Sequence, residues 1–150
     1  MTDGGVYYNL GLSVLLPGRS RAHTHHVYDV NYVVAIDAAR GEPSDSSARF
    51  LPFRLKRSFD ITYRRTQDGG RAMLNAAAAS GQLKGFVHAY LGMPDRRLPV
   101  PLAGLVPFET VKSHPTSFRA LTAGALDALT QRGEQLTRVL LNHYCPELVR

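Results

Sequence analysis

Period-two alternation of apolar and polar residues dominates the first two thirds of the chain. In residues 6–16, Val6, Tyr8, Leu10, Leu12, Val14 and Leu16 share one parity, and Asn9, Gly11 and Ser13 the other. This pattern predicts a half-buried strand, closed by the turn pair Pro17-Gly18. Residues 27–36 repeat it, with Tyr28, Val30, Tyr32, Val34 and Ile36 on one face. The longest alternation is FRLKRSFDITYR, residues 53–64. It predicts a third strand with Phe53, Leu55, Phe59, Ile61 and Tyr63 inward and Arg54, Lys56, Ser58, Asp60, Thr62 and Arg64 outward. Arg57 falls on the apolar parity, which a bulge or a rim position accommodates.

The remaining elements follow from turn and helix signals. Asp68 as N-cap, the alanines of RAMLNAAAAS and Gly81 as C-cap predict a short helix. Residues 83–91, LKGFVHAYL, predict another strand. GMPDRRLPVPLAG is too proline-rich for regular structure, and residues 105–111 predict an edge strand because of Pro107. From Phe118 onward the period changes. Leu121, Ala125, Leu129, Leu136, Val139 and Leu140 recur at helical steps, with Thr116 or Ser117 as cap, Gly133 at a possible bend and Pro146 at the end. The expected fold is a single α+β domain over residues 1–150. It would have a mainly antiparallel sheet, open or closed into a small barrel, one short inserted helix and a long C-terminal helix.

Length supports this picture: 150 residues can bury a working core without disulfides or metal. One cysteine, Cys145, excludes an internal disulfide and points to a reducing, cytoplasmic compartment. The N-terminus lacks the basic region of a signal peptide, and no apolar run reaches the roughly 18 residues of a membrane span. Phosphate-loop, dinucleotide-turn, nucleophile-elbow, H-E-x-x-H and C-x-x-C motifs are all missing, so neither a cofactor nor a catalytic residue is assigned.

Charge adds the first candidate site. The net charge is +6. Its densest band, Arg54, Lys56, Arg57, Arg64 and Arg65, with Lys84 as an outlying member, is a candidate nucleic-acid or acidic-partner surface. The second candidate is His23, His25 and His26. On a strand His23 and His25 would point the same way and, with Asp29, could hold a metal. The third is the apolar set Leu136, Val139, Leu140 and Tyr144, read as a contact between copies of the chain. The leading expectation is a non-catalytic assembly or binding protein, a homo-oligomer or part of a larger particle whose basic face contacts nucleic acid or an acidic partner. The competing expectation is a small histidine-site enzyme, with or without metal.

Overall fold

The computed structural model describes residues 11–38, 51–112, 114 and 119–149. The principal elements are β1 (Tyr32–Asp37), α1 (Leu51–Ala79), β2 (Gly85–Tyr90), the single turn α2 (Phe108–Val111) and α3 (Ala123–Tyr144). The chain divides into two compact units, Met1–Val33 with Ser44–Phe86, and Val34–Pro43 with Val87–Arg150, and the division falls within both strands.

The chain is an α+β mixture with a long C-terminal helix, but its sheet is neither antiparallel nor barrel-like. β1 and β2 form a two-stranded parallel sheet. The Lys84 and Gly85 N–H groups donate to the Asn31 carbonyl, and the Leu91 N–H donates to the Asp37 carbonyl. Both chains therefore ascend together, and the crossover between them carries α1, as parallel pairing requires. β2 is buried at four of its six residues, Gly85, Phe86, Val87 and Ala89, on both of its faces, as parallel strands commonly are. β1 alternates, but with the opposite face inward to the one expected: Val33, Ala35 and Asp37 are buried, and Val34 and Ile36 are exposed.

The run that alternates most clearly, residues 53–64, is helical. Leu51, Leu55, Phe59 and Tyr63 also recur every four residues, so the same side chains satisfy a helix. Length decides between the two periods. A run of twelve alternating residues exceeds the usual 4–8 of a buried strand, and the downstream alanines extend a helix that has already nucleated. Ile61, expected inward, is 46% exposed. Asp68 does not cap a separate helix; it lies inside α1 and pairs with Arg71 at 3.3 Å. Gly81, with φ of 76°, takes the left-handed conformation just beyond the helix end.

Two other expected strands are replaced. Residues 12–15 form a 3₁₀ turn after Gly11, whose φ is 60°, and residues 6–10 lie outside the described ones. Residues 108–111 form a helical turn behind Pro107 rather than an edge strand. In the first unit, the turn 12–15 lies against α1, and Leu12, Leu74, Ala77, Leu83 and Phe86 are buried. In the second, the buried set includes Val87, Ala89, Met93, Val111, Leu136, Val139, Leu140 and Cys145. α3 begins later than expected, where the Thr122 hydroxyl accepts from the Ala125 N–H. It runs unbroken through Gly133. Thr116, Ser117 and Phe118 lie outside the described residues.

Candidate nucleic-acid interface

The basic band sits on a helix, not on a strand face. At 100° per residue, positions 54, 57, 64, 65 and 71 of α1 fall within about 120° of arc. The buried positions Gly70, Leu74 and Ala77 centre about 150° away. These positions therefore lie on the side of the helix opposite its buried stripe. Arg57 and Arg65 are exposed, and Arg71 is half-buried. Ile61, exposed, and Asp68 share the same arc. The side chains of Arg54, Lys56 and Arg64 lie outside the described ones. Lys84, exposed, stands at the start of β2.

Charge is unequal between the units. Residues 1–33 and 44–86 carry ten Lys and Arg against five Asp and Glu, a net of +5. Residues 34–43 and 87–150 carry eight against seven, a net of +1. The helix α1 alone contributes six cations against Asp60 and Asp68. Nearly all of the chain's excess positive charge thus belongs to the unit built on α1.

The histidines occupy a turn. The Ser20 carbonyl accepts from the N–H groups of His23 and Thr24, and the Thr24 hydroxyl accepts from the His26 N–H and from Arg19. β1 begins only at Tyr32, so the strand alternation that would align His23 with His25 is absent at these residues. His23, His25, His26 and Asp29 are exposed. Among the described residues, no three His, Cys, Asp or Glu side chains come together as a metal-ligand set. Of the apolar set on α3, Leu136, Val139 and Leu140 are buried within the chain, and Tyr144 is exposed.

Cys145 is fully buried, and burial, followed by the nearby Glu147 charge, pushes its thiol above the ordinary value. A buried thiol held in its neutral form is a poor nucleophile. Ellman's reagent should therefore modify Cys145 roughly 100-fold faster in denatured than in native protein. Equal rates would show that the native thiol is reached freely.

Sequence reasoning missed Arg132. It is fully buried, yet it lies in α3. Its Nε donates to the Leu91 carbonyl at 3.2 Å and its Nη1 to the Val106 carbonyl at 2.5 Å. Nη2 donates to the Met93 carbonyl. The Asp95 carboxylate lies 2.9 Å from Nη1 and also accepts from the Phe108 N–H. One turn on, Gln135 accepts from the Val106 N–H at 2.9 Å and donates to the Gly104 carbonyl at 2.8 Å. Arg132 and Gln135 together hold the proline-rich segment between β2 and α2 onto α3. The available signal was a register: Arg132 falls between Leu129 and Leu136 on the apolar stripe, where a cation needs buried partners.

Two further polar side chains share the sheet. Asp37 and His88 approach to 4.0 Å, and the His88 ring stacks on Tyr90 at 5.2 Å between centroids. At 4.0 Å the two facing atoms are not hydrogen-bonded to each other. Among the described residues no helix is long and apolar enough to cross a membrane. No family model, curated protein or solved structure matches the chain.

Proposed function

We propose that the chain is a non-catalytic nucleic-acid-binding subunit of a larger assembly, acting in the cytoplasm. The observation that carries this reading is the charge asymmetry. The first unit holds a net +5, and five of its ten cations are arginines at positions on the arc of α1 opposite its buried stripe, while Lys56 falls at the angle of Leu74. Arginine positions spread over residues 54–71 of one helix, roughly 26 Å, can track a phosphate backbone. The row is almost entirely arginine, suited to phosphate oxygens. The contact is therefore to the backbone and independent of base sequence.

Assembly through several copies is supported by apolar side chains that remain exposed on α3, Leu126 and Tyr144. The exposed histidines form no metal-ligand set among the described residues. Light scattering with and without a short duplex tests the proposal. Free protein should scatter as more than a monomer, and particle size should rise with nucleic acid at low salt and fall back as salt increases. A monomer whose size ignores nucleic acid at low salt would overturn it, and recruitment only by an acidic protein would redirect the basic face to that partner.

A further inference from the structure

The second unit contains a cavity of about 330 Å³. Its wall is made by the carboxyl ends of β1 and β2 and by α3 between residues 129 and 137. The carboxyl ends of parallel strands are where ligands enter open α/β sheets. The volume lies at the small end of the roughly 300–1,000 Å³ range of small-molecule sites.

Gly133 is the informative residue. It lines the cavity from the middle of α3, and apart from its chain neighbours and the adjoining backbone of its own helix nothing lies within 4 Å of the place a Cβ would take. Its φ is not positive, so the backbone does not require glycine there. After proline, glycine is the poorest helix former. Neither backbone nor packing demands this glycine, and its effect is to leave open a space that a side chain would fill. Thr130 and Thr137 flank it on the same helical face, at steps of three and four residues, and bring two hydroxyls to a wall otherwise formed by side chains such as Ile36, Leu91 and Leu136.

We propose that this cavity binds a small uncharged molecule, mostly hydrocarbon, with one hydroxyl or carbonyl to pair with Thr130 or Thr137. Charge decides against the alternatives. The wall contains Asp37 and no lysine or arginine, so an anion finds no counter-charge there. The one carboxylate in the wall, Asp37, is buried, so it offers a cationic ligand little accessible surface.

The test uses the whole chain and three probes of similar size: benzyl alcohol, benzylamine and benzoate. In amide-detected NMR, benzyl alcohol should shift residues 36–38, 89–91 and 129–137 saturably, with Kd on the order of 0.1–1 mM. Benzoate and benzylamine should bind at least about tenfold more weakly. Gly133→Leu should abolish benzyl alcohol binding. Gly124→Leu, on the same helix but outside the wall, should leave it unchanged. Gly133→Ala, which strengthens the helix, should weaken binding about threefold or more while keeping the fold. No saturable shift up to about 10 mM, shifts centred elsewhere, or benzoate binding as tightly as the alcohol would overturn the proposal. If Gly133→Leu unfolds the protein, the wild-type shift map and the Gly133→Ala titration still decide.

Discussion

Arg132→Met should destabilise the protein by about 3–5 kcal/mol and lower its thermal midpoint by roughly 10 °C or more. Replacing a buried ion pair by apolar residues is often neutral, so the reason for a large loss must be specific. It lies in the acceptors. Three of the groups that receive Arg132 are backbone carbonyls, those of Leu91, Met93 and Val106, and no side-chain substitution can remove them. Methionine fills much of the arginine volume but leaves these carbonyls without donors, at about 1–3 kcal/mol for each one that water does not reach. Arg132→Lys should recover little, because one ammonium cannot span the fork of positions that the guanidinium reaches. Asp95→Asn separates the ionic part. Asp95 is 43% exposed and its amide oxygen can still accept from Phe108, so a loss of only about 1 kcal/mol is expected. Chemical denaturation of the three variants measures the set. A change below about 1 kcal/mol for Arg132→Met would mean that water replaces the guanidinium and that the clamp does not hold the segment.

That clamp also marks where the sequence stops being readable. β2 and α3 are recoverable from periodicity because their patterns are long enough, or bounded sharply enough, to admit one reading. α1 is not. Leu55, Phe59 and Tyr63 satisfy a period of two and a period near four together, and only continuity with residues 65–79 separates the alternatives. The error then propagates. With α1 taken as a strand, the sheet looks antiparallel and the arginines look like one strand face; with α1 as a helix, β1 and β2 are left to pair in parallel across it. Arg132 hides for another reason. Helical periodicity places it on the inner stripe, but what makes a cation tolerable there is a set of carbonyls some 26–41 residues away in sequence, which no local pattern records. The cavity is hidden in the same way, since Gly133 reads as a helix bend until its surroundings are known. The oligomer patch shows the converse: Leu136, Val139 and Leu140 look available in a linear reading and prove to be core.

Neutralising the arginine row should have its largest effect on binding and almost none on folding. The triple variant Arg57→Gln, Arg64→Gln, Arg65→Gln removes three charges from the outward arc of α1 and leaves Gly70, Leu74 and Ala77 untouched. Arginine and glutamine have similar helix propensities, so thermal stability should stay within about 0.5 kcal/mol. If each arginine neutralises one phosphate, the slope of log K against log salt for a duplex should become shallower by about 2.7, since each contact contributes about 0.9. Affinity at low salt should fall roughly 100-fold, equally for duplexes of different sequence, because phosphate contacts carry no base information. Arg138→Gln is the control. It removes an exposed charge that pairs with Glu134 in the second unit, and it should leave both slope and affinity unchanged. Fluorescence anisotropy over a salt series reads both quantities at once. An unaltered slope in the triple variant would remove α1 from the interface. An equal loss in Arg138→Gln would mean that binding follows net charge, with no face of the molecule selected.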